Sequence, residues 1–318
     1  MRTTYQQTLL INFVSREDID EWRNLFLPNF PDLRIASWDD PSVEPESVHY
    51  VLVWEPERGK LAQFPNLRVI LSEAAGVDHI LNDSTVTANI PITRMVTPET
   101  ESRMADYVTM ACYLLVRQIP LVMQAQKRQS WKNKLTGRLV NETSVGIMGM
   151  GRLGTAVAKR LLANGFTVRG WSRTEKNAHG VQCYAENDQL AAFLRESHIL
   201  VNLLPDTIAT RGIINAELLE QLPPNAGLIN VGRGHQLDHD ALLVGLNNGH
   251  LSGAVLDVFP VEPLPPEDPL WTHPRIIITS HVASLISNTA KAKQAIEIIQ
   301  ADRSGLPLPL VFNREYGY

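Results

Sequence analysis

Apolar residues along this chain fall into short β-branched runs separated by stretches with helical spacing. In the N-terminal third, TLLINFV (8–14) reads as a strand and REDIDEWRNLF (16–26) as a helix. VHYVLVWEP (48–56) is β-branched and aromatic and ends at Pro56. LRVILSEAAGVDHIL (67–81) reads as strand, turn and helix start, and PITRMV (91–96) as a further strand. This alternation predicts a parallel α/β sheet. A boundary is expected near Thr97-Pro98, followed by a long helical stretch (99–131) interrupted or ended near Pro120.

The alternation then restarts more strongly. Strands are predicted at 143–149, 166–172, 198–204, 226–232, 252–259 and 275–280. A helix is predicted at 152–164, with Gly165 as its C-cap. The tail, 283–318, begins helically and ends in the Pro-rich GLPLPLVFN. It is expected to pack back on the first lobe. The expected domains are therefore a discontinuous substrate domain, 1–98 plus 284–318, and a dinucleotide-binding domain, 99–283.

Composition narrows the function. At 318 residues the chain is long enough for about two domains. With 44% hydrophobic and 20% charged residues it can bury a large core. A net charge of −5 argues against a nucleic-acid binder that works through bulk positive charge. No run approaches a membrane span, and the N-terminal apolar stretch is too short for a signal peptide. Cys112 and Cys183 are too few for a disulfide framework, lack zinc-ligand spacing, and are expected to be buried. A cytoplasmic protein, bound to neither membrane nor nucleic acid, is expected.

Gly149-Met150-Gly151-Arg152-Leu153-Gly154 fits G-x-G-x-x-G between a predicted strand and helix. The first glycine permits the tight turn, the second a close approach of pyrophosphate, and the third helix–strand packing. Amides at the helix N-terminus favour the diphosphate. The alternative is a tight turn with no ligand. The next strand ends at Trp171-Ser172-Arg173-Thr174, without the acid that would bind a ribose 2′-hydroxyl. Ser172, Arg173 and Thr174 suit a 2′-phosphate, so NADP(H) is preferred over NAD(H).

Three more segments end predicted strands: Leu228-Ile229-Asn230-Val231-Gly232-Arg233-Gly234, Asp257-Val258-Phe259-Pro260-Val261-Glu262-Pro263 and Thr279-Ser280-His281-Val282-Ala283. Singly, each has an ordinary reading: Arg233 as a surface charge, Glu262 as a solvated loop acid, His281 as a core histidine. Together with AAGVDHI (74–80) and LLPDTIATRGIIN (203–215), they resemble the D-isomer-specific 2-hydroxyacid dehydrogenase family over nearly the whole chain. Trp54 in VLVW, the element PLWTHPRIIITSHVA and the terminal Gly-Tyr resemble the glyoxylate/hydroxypyruvate reductase A branch.

The resemblance implies two Rossmann-like domains, one flavodoxin-like and one dinucleotide-binding, with parallel sheets and an active-site cleft between them. It implies reduction of small 2-oxo acids to D-2-hydroxy acids. Arg233 would bind the substrate carboxylate, His281 would be the general acid/base, and Glu262 would orient His281 and favour its cationic form. Asp257 would contact the nicotinamide carboxamide. Ala75 and Gly76 would offer amides to the carboxylate. Leu204, Pro205, Thr210, Val231 and Gly232 would line the cofactor cleft. Trp54 is expected to face the substrate and limit its size, with a core tryptophan as the alternative. A homodimer is implied, with 97–135 as candidate interface and Trp131 reaching toward the partner. His79, His235, His239 and His273 are read as structural or surface residues.

Two departures stand out: Ala74 where many relatives have Gly, and Ser280 where Pro is common. Glu262 argues against formate dehydrogenase activity, which goes with Gln there. The competing functions are a dehydrogenase for a larger 2-oxo acid and a non-catalytic dinucleotide-sensing protein of the corepressor type.

Overall fold

A computed structural model describes residues 7–131, 134–135 and 137–314. The chain forms two units. One ends at Glu99 and resumes at Ile286; the other is Thr100–Leu285.

Unit 1 contains β1 (Gln7–Ile11), α1 (Ile19–Phe26), β2 (Leu33–Ser37), β3 (Val48–Val53), β4 (Val69–Ser72), α2 (Asp78–Leu81) and β5 (Ile92–Thr93). Its sheet has the order β2-β1-β3-β4-β5 and is parallel throughout, the flavodoxin-like order. Successive side chains of a strand point to opposite faces, and both faces here are buried. Leu9, Ile11, Tyr50, Leu52 and Leu71 face Trp22 and Phe26 of α1 and Ala292, Ala295, Ile298 and Ile299 of the helix Asn288–Arg303. Leu10, Val51, Val53 and Ile70 face Leu61, Phe64, Ile80 and Phe312 on the other side. The C-terminal segment thus supplies part of the unit 1 core, and Val311 forms an antiparallel bridge to Thr93.

Unit 2 contains most of α3 (Pro98–Val116), then α4 (Ile119–Lys127), β6 (Ser144–Met148), α5 (Arg152–Ala163), β7 (Thr167–Ser172), β8 (Val181–Ala185) and α6 (Leu190–Arg195). There follow β9 (Ile199–Asn202), α7 (Ala216–Glu220), β10 (Ala226–Asn230), α8 (His239–Asn247), β11 (Leu251–Leu256) and β12 (Ile276–Ile278). The sheet order is β12-β11-β10-β9-β6-β7-β8, again parallel. This is the dinucleotide-fold order with a seventh strand, and the order reverses between β6 and β9.

The long helical stretch breaks where Gln118 adopts φ 53° and Pro120 opens α4, bending the pair by 66°. Among the described residues no single helix is long and apolar enough to cross a membrane. The apolar face of α3, with Met104, Val108, Ala111, Cys112 and Leu115, lies in the core with Val145, Ile147 and Val255.

Several expectations shift. β2 and β8 were not predicted, and each is one of the two edge strands of its sheet. Edge strands carry fewer apolar residues, which weakens their signal. Cys112 is fully buried, which pushes its thiol up, but Cys183 on β8 is only half-buried. The strand expected at 91–96 shrinks to Ile92–Thr93, because the Arg94 amide bonds to Leu310 and the Met95 amide to Ala74. The terminal Gly-Tyr and residues 132 and 133 of the candidate interface lie outside the described residues.

Candidate active site

Parallel strands share one carboxyl edge, and the chemistry-bearing residues of unit 2 follow strand ends along it. Leu204 follows β9, Arg233 follows β10, Asp257 and Glu262 follow β11, and His281 follows β12. These four strands are neighbours in the sheet, so segments far apart in sequence emerge side by side.

His281 and Glu262 form the centre of this edge. His281 Nδ1 lies 2.8 Å from Glu262 Oε2, with the side chains 30% and 29% exposed. Glu262 Oε1 accepts the Phe259 amide at 2.8 Å, which fixes the carboxylate. Burial pushes the Glu262 carboxyl up. The hydrogen bonds from His281 and the Phe259 amide, with the charges of His281 and Arg233, outweigh it and hold it below its ordinary value. Glu262 is therefore an anion beside the imidazole at neutral pH.

His281 adopts φ 55°, a left-handed conformation that a non-glycine residue holds only when its surroundings impose it. Here Asp257 imposes it. The His281 amide donates to the Asp257 carbonyl at 2.8 Å. The Asp257 carboxylate accepts from Thr279 Oγ1 (2.5 Å) and from the amides of Val282 and Ala283 (2.9 Å each). It is 1% exposed, so in this structure it clamps the His281 turn, a role the sequence does not announce. Tyr107 on α3 extends the chain through a 2.5 Å contact with Thr279. Burial, with the Asp257 charge adding to it, pushes the Tyr107 hydroxyl up to about 12 against the opposing Thr279 hydrogen bond.

Arg233 is half-buried, with Nη1 donating to the Gly232 carbonyl at 2.9 Å. Gly234 beside it is obligatory, since a Cβ there would lie 1.8 Å from the Phe259 carbonyl carbon. Arg233 and Phe259 are thereby tied into one tightly packed corner. His239 and His273 are held below the usual histidine value by burial, as expected of structural histidines.

The glycine-rich turn sits between β6 and α5, at the reversal of strand order. Gly149 adopts φ 104°, and a Cβ there would meet the Leu203 carbonyl oxygen at 2.7 Å. A Cβ on Gly154 would lie 2.0 Å from the Gly149 carbonyl oxygen. Gly151, the N-cap of α5, differs: nothing lies within 4 Å of its Cβ position, and no side chain caps the helix. Open space at an uncapped N-terminus fits a dinucleotide pyrophosphate. Leu153 is partly buried in the α5 packing. Arg152 is engaged by Glu101 at 2.6 Å.

At the end of β7, Ser172 is buried and donates to the Thr174 carbonyl at 2.8 Å. It shapes this turn, leaving Arg173 and Thr174 exposed as the phosphate-facing candidates. Across the reversal, Leu204 is buried, Pro205 is exposed, and Thr210 Oγ1 lies 2.7 Å from the Pro205 carbonyl. Val231 and Gly232 are buried beneath Arg233.

Within unit 1, Trp54 follows β3 and is partly exposed rather than a core residue. Its backbone is gripped at both ends by Asn12, and its ring lies 4.4 Å from that of His79. Ala75 and Gly76 lie in the loop after β4. Ser72 Oγ shapes that loop, accepting the Ala74 amide and donating to the Gly76 carbonyl. These bonds use neither the Ala75 nor the Gly76 amide.

Three amides, Asn202, Asn230 and Gln236, lie fully buried behind Arg233; the sequence marks Asn230 only as part of the Arg233 segment and does not single out the other two. The available signal was an Asn closing each of the apolar strands ILVN and AGLIN.

A family model described as D-isomer specific 2-hydroxyacid dehydrogenase, NAD binding domain, matches residues 108–283. Glyoxylate/hydroxypyruvate reductase A of Salmonella heidelberg is 37% identical over 302 residues, 93% of this chain and 96% of that protein. Among solved structures, a D-isomer specific 2-hydroxyacid dehydrogenase from Xanthobacter autotrophicus Py2, in complex with NADPH and MES, is similar with a TM-score of 0.90. It is 37% identical, covering 99% of this chain and 100% of that one. An NADPH-dependent glyoxylate/hydroxypyruvate reductase from Sinorhizobium meliloti, in complex with NADP and sulfate, has a TM-score of 0.89 and 34% identity. There the cover is 98% of this chain and 100% of that one.

Proposed function

The chain belongs to the D-isomer-specific 2-hydroxyacid dehydrogenase family, and from that premise we propose that it reduces glyoxylate and hydroxypyruvate to 2-hydroxy acids with NADPH. The observation that carries this reading is the His281–Glu262 pair beside Arg233 on the carboxyl edge of a dinucleotide-binding sheet. The names and bound cofactors of the similar proteins support the substrate and NADPH.

Bound NADPH supplies the hydride. The Arg233 guanidinium holds the substrate carboxylate as a bidentate fork and draws charge from the adjacent carbonyl. His281 Nδ1 is committed to Glu262, so Nε2 passes a proton to the carbonyl oxygen as that oxygen becomes a hydroxyl. Glu262, an anion held in place by the Phe259 amide, balances the imidazolium. One 2-oxo acid, one hydride and one proton give one 2-hydroxy acid. Oxidation runs the same steps backwards, with His281 as base.

Gly149, Gly151 and Gly154 hold the pyrophosphate turn, and Arg173 with Thr174 reads the 2′-phosphate. Trp54 limits the size of the substrate side group, and the Ala75 and Gly76 amides bind the carboxylate. We place the protein in the cytoplasm, consistent with two unpaired cysteines. We assign it as a homodimer through 97–135, where Met110 (45%), Met123 (46%) and Trp131 (94%) expose apolar surface.

The test is NADPH and NADH oxidation measured in parallel with glyoxylate, hydroxypyruvate, pyruvate and phenylpyruvate. Fast NADPH turnover with the two small acids is expected. A preference for phenylpyruvate would contradict the small-substrate assignment, and no turnover with any acid would contradict the reductase assignment.

A further inference from the structure

We propose that Gln236, together with Asn202 and Asn230, is a positioning residue that locks the Arg233 loop to the Leu204–Pro205 loop. The inference rests on the reading of Arg233 as the carboxylate-binding residue, and it names what holds that residue in place.

The three carboxamides are each 0% exposed, and their hydrogen-bonding atoms interlock. Asn202 Nδ2 donates to Asn230 Oδ1 at 2.9 Å and to Gln236 Oε1 at 2.6 Å. Gln236 Oε1 also accepts the Arg233 amide at 2.9 Å. On the other side Gln236 Nε2 donates to the Pro205 carbonyl at 2.8 Å, with the Leu204 carbonyl at 3.2 Å and Thr210 Oγ1 at 3.3 Å. Asn202 Oδ1 accepts the Leu204 amide, and Asn230 Oδ1 accepts the Gly232 amide. Asn230 Nδ2 reaches the Arg233 carbonyl at 3.3 Å.

The backbone amide of Arg233 requires an acceptor, and the carbonyls of Leu204 and Pro205 require a donor. Gln236 can meet both only in one orientation of its carboxamide. The loops after β9 and β10 are thus joined through one side chain. Gly232 leaves room for it: a Cβ there would lie 2.6 Å from Gln236 Oε1 and 2.7 Å from Asn202 Nδ2. A buried polar network in which each member is satisfied is stiff, and stiffness here is transmitted to Arg233.

The test uses the full-length protein. Gln236→Met keeps the volume and removes both the donor and the acceptor. Its NADPH stoichiometry, read by fluorescence titration, is expected to stay at that of the parent. KM for glyoxylate and Ki for oxalate are expected to rise together by about ten-fold, the scale of a small misplacement of a binding group. Gln236→His restores one acceptor and one donor and is expected to bring both constants back to within about three-fold. Constants within about two-fold of the parent in Gln236→Met, or a fall in kcat with unchanged KM, would overturn the proposal. If the Met variant fails to fold, a ten-fold rise in Gln236→His does the same. Hydrogen exchange of peptides 203–212 and 230–237 reads the coupling without turnover. Both should lose protection together in Gln236→Met, and loss in only one or in neither would overturn it. A parent that reduces no 2-oxo acid would refute the function proposed above, while the exchange experiment still decides the lock.

Discussion

Arg173 stands immediately beyond β7 and is exposed, and none of residues 171–174 at this strand end is an acid. A phosphate bound there would gain charge-assisted hydrogen bonds of about 1.5–3 kcal/mol, so Arg173→Ala is expected to raise the NADPH Kd about 10–100-fold. The NADH Kd should change little, and equal losses for the two cofactors would remove Arg173 from phosphate recognition. Arg233, Glu262 and His281 stand out in the sequence because each follows an apolar strand within a specific motif. The clamp on His281 does not. Asp257 reads as a cofactor contact, and nothing near it in sequence points to Thr279 or Tyr107 as its companions. The amide lock was hidden for a related reason. Asn202 meets its partners 28 and 34 residues further along, and only the strand order brings them together.

The glycine-rich turn is the element whose pattern and geometry agree most closely. Its glycines nevertheless do different work, and that separates a ligand-binding turn from a tight strand–helix connection. A methyl group on Gly154 runs into the Gly149 carbonyl, whereas one on Gly151 meets open space. Gly154→Ala is therefore expected to destabilise the fold by about 1–3 kcal/mol, the scale of overpacking, seen as a lower Tm. Gly151→Ala should leave Tm nearly unchanged while weakening NADPH binding by about ten-fold or more, because only the ligand needs that space. A Gly151→Ala protein that binds NADPH normally would mark the turn as purely structural. Central strands were readable because both of their faces are apolar. β2 and β8 were not, since LRIAS and VQCYA mix charged or polar residues into edge positions.

At the scale of the whole molecule, each unit has its own parallel sheet and its own cores, and one chain supplies unit 1 from both ends. The helix Asn288–Arg303 brings Ala292, Ala295, Ile298 and Ile299 into the core with Leu9 and Tyr50. In unit 2 the ends of three neighbouring strands, β10, β11 and β12, carry Arg233, Glu262 and His281. The account depends above all on His281 moving the proton. The most direct measurement is the turnover of glyoxylate by His281→Ala, with NADPH binding followed alongside. The account predicts a fall in kcat of about 10²–10⁴-fold, the span of general acid–base catalysis, with the NADPH Kd essentially unchanged. Turnover within a few-fold of the parent would contradict it.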